Sequence, residues 1–317
     1  MLHLRVIAPA DTSAAVVEAL RTSSAVTHLT VVPGAAKEPP GDLVECDVAR
    51  EGANDVLTAL RDLGVVERGG IVVEPLTVTL SDAARRASRR APGIGVDAVV
   101  WEEVEQKTGQ DTRLSATYLL LLSVATIIAG IGVLLDQPIL IVGAMVVGPE
   151  FGPLAALSVA IVRRHATMAK RSGLALAVGF PAAMAVTVVA TLLLTAVGLV
   201  DRSMLLADRP LTSFIWQPDA LSWVVGFLAG IAGMLSVTSA KSGTLIGVLI
   251  SVTTVPAAAN AAVALAYGVP REALGSSLQL VINLGAITTA GVVTLLAQRL
   301  WWRGEVGSSP RRPLVRR

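Results

Sequence analysis

GAMVVGPEFGPLAAL, residues 143–157, lies inside a long apolar run, and its reading decides the fold. Pro149 and Pro153 interrupt the run, Gly148 and Gly152 stand beside them, and Glu150 lies between the prolines. With its flanks the run reaches the ~20 residues that a helix needs to cross a bilayer. Proline has no N–H and clashes with the preceding turn, so a helix broken at GPEFGP (148–153) is predicted, with carbonyls near Gly148 and Phe151 left free. In lipid such groups are costly unless they line a cavity or meet a partner. Freed carbonyls can coordinate a cation, and half-helix N-termini can face an anion. The simpler alternative is a proline kink that only shapes packing. Glu150 is the one carboxylate placed well inside a span. A charge there costs at least ~2.5 kcal/mol on insertion scales, so it is read as a group that carries a proton or meets a cation. The alternative is a break nearer an interface, with Glu150 wet.

Working outward, the whole chain is apolar. Its apolar share of 53% and mean hydropathy of +0.67 exceed those of ordinary globular proteins. Aromatics are scarce, and the apolar content is Ala, Val, Leu, Ile and Gly, which suits close-packed membrane helices. Six spans are expected, at 116–135, 139–162, 173–199, 220–240, 243–267 and 276–298. Alternate loops carry the positive charge. On one side lie the connector before the first span, RRHATMAKR (163–171), Lys241 and the arginine-rich tail 299–317. On the other lie DQP (136–138), the loop 201–219 with Arg202 and Arg209 against Asp201, Asp208 and Asp219, and Arg271 with Glu272. The positive-inside rule then places both termini in the cytosol of a bacterial inner membrane. Tyr118, Trp301 and Trp302 are expected at the inner interface, and Trp216, Trp223 and Tyr267 at the outer one. MLLADRPLTSFIW (204–216) is apolar enough to lie on the surface or cover a mouth.

The spans contain a repeat. AGIGVLL (129–135) matches AGIAGML (229–235), LIVGAMVV (140–147) matches LIGVLIS (245–251), and VTVVATLL (186–193) matches AGVVTLLA (290–297). Three spans per unit is an odd number, so the second unit enters from the opposite side, as in many secondary transporters. In such folds the site lies at helices interrupted in equivalent places. The second break falls in SVTTVPAAAN (251–260), and Pro153 and Pro256 differ by 103. The candidate substrate or ion site is therefore Gly148, Pro149, Glu150, Gly152 and Pro153 with Thr253, Thr254, Pro256 and Asn260, joined by Gln279 and Asn283 one turn apart in the sixth span. Amides in lipid need partners, so interhelical hydrogen bonding is the plainer role for Asn260 and Asn283.

Residues 1–81 read as a soluble α+β region of order βαββαβ, the ferredoxin-like pattern, with strands at 2–9, 26–34, 42–49 and 70–80 and helices at 11–23 and 51–64. It resembles small ligand-sensing domains of the ACT type in element order. Residues 82–115 form a basic linker with Arg85, Arg86, Arg89 and Arg90, then an amphipathic helix at 96–110 for the membrane surface or a partner. Cys46 stands alone, so no internal disulfide forms. His3, His28 and His165 lie far apart in sequence, which argues against a histidine metal site. No nucleophile–base pattern, P-loop or metal spacing is present, so neither an enzyme nor a cofactor is expected.

The Gly143-Ala144-Met145 stretch followed by Pro149, Gly152 and Pro153 resembles the bacterial and archaeal membrane family called domain of unknown function 389. FLAGIAG (227–233), GVLISVTTVP (247–256) and INLGAITTAG (282–291) extend the resemblance over roughly 115–298. Glu150 departs from the apolar residue usual there, and a single proline stands at 256 where a pair is common. The family label implies no activity. The residues themselves point to a secondary transporter or channel-like permease for a small polar or ionic solute, with a regulatory cytosolic domain. The alternative is a non-transporting receptor or scaffold whose cytosolic domain binds an effector. The expected partners are the lipid bilayer, the solute and further copies of the chain, without nucleic acid.

Overall fold

A computed structural model describes residues 1–91, 99–109, 114–217, 219–239 and 253–308, the side chains of 107 and 301–308 excepted. The chain forms two compact units, one built on Met1–Glu103 and one on Val104–Val237 with Lys241–Ala297.

In the first unit β1 (Leu2–Ala8), α1 (Ser13–Thr22), β2 (Val26–Lys37), β3 (Pro40–Val48), α2 (Arg50–Asp62), the single turn α3 (Val65–Arg68) and β4 (Gly70–Pro75) follow one another. The strands make one antiparallel sheet of order β2-β3-β1-β4. Strand alternation puts Leu2, Leu4 and Val6 of β1 and Val44, Cys46 and Val48 of β3 on one face. They form a single buried core with Val16 and Leu20 of α1 and Val56, Leu57 and Leu60 of α2. Burial pushes the Cys46 thiol up to about 12. Gly64 takes the left-handed φ of +72° just past α2, as its sequence position requires.

Two boundaries differ from expectation. Pro33-Gly34 does not end β2, which runs on to Lys37. A register shift between Val32 and Ala36 absorbs the proline's missing donor, and the Gly34 amide donates instead to Asp42 at 2.8 Å. The last strand stops at Pro75 rather than residue 80. The basic segment forms α4 (Asp82–Arg90), capped by Ser81, whose hydroxyl accepts from the Ala84 amide at 3.3 Å. Of the predicted amphipathic helix, α5 (Trp101–Gly109) is described, and Val96 lies outside the described residues. Its start docks on α2: Val100 joins the core, and Glu102 and Glu103 pair with Arg61 and Arg50 at 2.9 and 2.8 Å.

The second unit is helical. It contains α6 (Ala116–Leu134), α7 (Pro138–Val147), α8 (Phe151–Arg163), α9 (Ala166–Ala196), the short α10 (Arg202–Leu206), a 3₁₀ turn (Ser213–Trp216), α11 (Ala220–Thr238), α12 (Thr254–Ala266) and α13 (Pro270–Ser308). Four of these, α6, α9, α11 and α13, are long and apolar enough to cross a membrane, and α7 with α8 makes a fifth if that bent pair is one span. The first half of the predicted span 243–267, including Gly247, lies outside the described residues. Capping fixes several starts. Ser115 accepts from the Tyr118 amide at 3.1 Å and Asp219 from the Ser222 amide at 2.7 Å. Small and hydroxylated residues let helices approach. Thr187 of α9 donates to Thr126 of α6 at 2.8 Å, and Gly230 of α11 lies against Ile287 and Ala290 of α13.

Candidate functional site

The break at 148–150 is real, but the prolines act differently from expectation. α7 ends at Val147, and Gly148 closes it by donating to the Ala144 carbonyl at 3.0 Å. Pro149 then stops the helix, which leaves the Met145 carbonyl without its helical donor. α8 departs at 53°. Pro153 is its third residue, where no helical donor is needed. The Phe151 carbonyl therefore lies inside α8, and the irregular backbone is confined to Gly148, Pro149 and Glu150. Pro256 holds the same third position in α12. Each of these prolines stands in the first turn of its helix.

Glu150 is buried at 4% exposure, so the wet-carboxylate alternative fails. Its Oε1 accepts from the Thr254 hydroxyl, the first residue of α12, at 2.8 Å. Its Oε2 has no hydrogen-bond partner. The carboxylate folds back onto Gly148, where any Cβ would collide with it and with Val255. The buried Tyr118 hydroxyl also lacks a hydrogen-bond partner. Tyr118, the third residue of α6, packs on Gly179.

Beside this pair, Asn283 donates to the Thr253 hydroxyl at 2.9 Å and accepts from Gln279 at 3.4 Å. Gln279 is buried and its Oε1 is unpartnered. Thr253 and Asn283 form the floor of a cavity of about 240 Å³. Its walls are Phe214, Gln217 and Asp219 of the loop and Leu221, Ser222, Val225 and Gly226 of α11.

Asn260 goes elsewhere. It donates to Glu272 at 3.0 Å and Ser276 at 2.7 Å, and accepts from Arg209 at 3.4 Å. Arg209 and Glu272 form an ion pair with side chains only 5% and 7% exposed. Charge counting treated both as loop residues. Here they are interior, with Leu205, Thr212 and Ile215 of the same loop. Asp136 anchors that loop by accepting from Thr212 at 2.8 Å and from the Leu211 amide at 3.3 Å. Part of the loop thus packs inward, while Leu206, Leu211 and Phe214 stay exposed. The one available signal was an arginine flanked by Leu205, Leu206 and Leu211. Of the candidate residues, Gly148, Glu150 and Thr254 meet, and Thr253, Gln279 and Asn283 meet beside them. Pro149 shapes the turn, Gly152 lies in the first turn of α8, and Asn260 belongs to the ion-pair cluster.

The comparisons bear on this unit. Residues 145–289 match the family described as Domain of unknown function (DUF389). The resemblance expected from the Gly-Ala-Met and Pro-x-x-Gly-Pro residues is thereby borne out, and the DUF389 match covers both the break and the cavity floor. The chain is also 25% identical over 246 residues to the uncharacterized protein MJ0678 of Methanocaldococcus jannaschii, across 74% of this chain and 70% of that protein. No solved structure matches.

In the first unit, distance in sequence did not keep the histidines apart. His3 and His28 each meet one oxygen of Asp47, at 2.8 and 2.7 Å, and His28 reaches the Ser81 hydroxyl at 2.8 Å. Burial acts to raise the Asp47 carboxyl, but these hydrogen bonds outweigh it and hold the group below its ordinary value. Among the described residues no cluster of three or more His, Cys, Asp or Glu could hold a metal.

Proposed function

We propose that this is a multi-pass inner-membrane permease of the secondary-transporter type, moving a small polar or ionic solute through the helix break, with its first unit regulatory. The observation that carries the reading is a cavity that Thr253 and Asn283 line with hydrogen-bonding groups, next in the chain to Thr254, whose hydroxyl holds the buried Glu150 carboxylate at an irregular stretch of backbone. Irregular backbone at membrane depth is tolerated where it lines a cavity. The cavity opens among the loops that the positive-inside rule assigns to the outside.

A 3+3 inverted repeat of six spans supports the reading. α6 and α11 each have 19 residues, α8 and α12 each have 13, and the apolar lengths of α9 and α13 are each 31. Their starts are offset by 104, 103 and 104 positions. Thr126, which touches Thr187, corresponds at an offset of 104 to Gly230, which touches Ala290. Glu150 corresponds at the α8–α12 offset of 103 to Thr253, and it touches the next residue, Thr254, so the starts of the two equivalent helices meet. The repeat would then place the site where the halves meet. We also read the first unit as ferredoxin-like from its strand order, and expect homo-oligomers with both termini cytosolic.

Flux into proteoliposomes, measured with a panel of ions and small solutes, tests the proposal. Uptake above protein-free vesicles supports it, and none with correctly oriented protein overturns it. The receptor reading would then gain weight, since the first unit carries a core of its own.

A further inference from the structure

We propose that the helix break binds a small monovalent cation of the alkali-metal or ammonium class, with Glu150 as its anionic ligand. The inference rests on the permease reading only for what the cation is bound for. Helix N-termini carry partial positive charge and attract anions. Two 13-residue half-helices start here, α8 at Phe151 and α12 at Thr254. Glu150 stands at both starts. It immediately precedes α8, and its Oε1 is held by the first hydroxyl of α12 at 2.8 Å. The protein's own carboxylate thus occupies the place that a solute anion would take.

The remaining oxygen defines the ligand. Glu150 Oε2 is buried and unpartnered, and an ionised carboxylate only accepts hydrogen bonds. Its neighbours Thr254, Gly148 and Val255 bring no positive charge. The buried Arg209 is already neutralised by Glu272. No lysine, arginine or histidine lines the adjoining cavity among the described residues, and the charged residue that does line it is Asp219. An anion at the break would meet the Glu150 carboxylate and no cation. A monovalent cation leaves the site neutral, whereas a divalent one leaves a net charge in a low dielectric, where unpaired charge is costly. Neutral oxygens stand ready to complete the coordination. The Thr254 hydroxyl is one, and the Met145 carbonyl, deprived of its helical donor by Pro149, is another.

The test measures binding without transport. Full-length protein in lipid nanodiscs is melted at constant ionic strength while N-methyl-D-glucamine chloride is replaced by sodium, potassium or methylammonium chloride. A second series replaces chloride by nitrate. At least one small cation should raise the wild-type midpoint saturably, as a ligand specific to the folded state does, and nitrate should not. Glu150→Gln should abolish the cation effect. Thr254→Val, which keeps the charge, should require about tenfold more cation, and it serves as the test if Glu150→Gln does not fold. A cation effect that survives intact in both variants overturns the proposal. So does a nitrate effect, or a wild type insensitive to every small cation, which leaves Glu150 a proton site. Cation binding without flux would remove the permease reading and keep this one.

Discussion

Removing one partner of the Arg209–Glu272 pair should destabilise the membrane unit more than any other single loop substitution. Both side chains are more than nine-tenths buried, so solvent screening offers little relief. In Arg209→Met, Glu272 keeps only the Asn260 amide, at 3.0 Å, and an uncompensated buried charge remains. Breaking a buried pair in this way costs about 3–5 kcal/mol. At roughly 2–4 °C per kcal/mol for a unit of this size, the melting midpoint should fall by about 6–20 °C. The double variant Arg209→Met/Glu272→Leu removes both charges and should recover most of the loss, because apolar replacement of a buried pair is often neutral. Asn260 and Ser276 still bond each other there, at 2.7 Å. The assay is a thermal-shift series on wild type, single and double variants in the same lipid. A single variant within about 2 °C of wild type, or a double no better than the single, would refute the reasoning.

Three further outcomes follow from the packing and the charges. Gly148→Ala places a Cβ against the Glu150 carboxylate and should cost about 1–3 kcal/mol, while Gly143→Ala meets nothing within 4 Å and should change stability by less than ~0.5 kcal/mol; one thermal-shift comparison checks both. Cys46, its thiol pushed up to about 12, should resist a maleimide at pH 8 in the folded protein and react once denaturant is added. Asp47 is held below its ordinary value, so the stabilisation it lends is complete above about pH 4 and lost as pH falls through the folded value. The protection of amides in β1 and β3, measured relative to their intrinsic exchange rates at each pH, should therefore fall on acidification, and Asp47→Asn should remove that dependence.

The sequence made the helix break legible because proline and glycine punctuate a backbone locally. GPEFGP needed no tertiary information to be read as an interruption, and Pro256 takes in α12 the position that Pro153 takes in α8. What the prolines do was not legible. Whether a proline ends one helix or starts the next depends on caps such as Gly148, and local sequence states these poorly. Arg209 and Glu272 were missed because positive-inside counting treats every loop charge as exposed, whereas this loop folds inward on Leu205 and Ile215. His3, Asp47 and His28 were missed because strand register, not sequence spacing, brings them together; His3 lies directly opposite Asp47.

The cavity above Thr253 and Asn283 is the centre of the account, and Gly226 is the place to close it. A side chain there points at Asn283 and Ala286, whose nearest atoms stand 3.5 and 3.3 Å from the position of a Cβ. Uptake of radiolabelled rubidium and methylammonium should be compared in proteoliposomes holding equal amounts of wild type and Gly226→Leu, each first shown to melt cooperatively. The account predicts uptake by the wild type that the leucine variant loses. Equal uptake by both, or none by either, would contradict it.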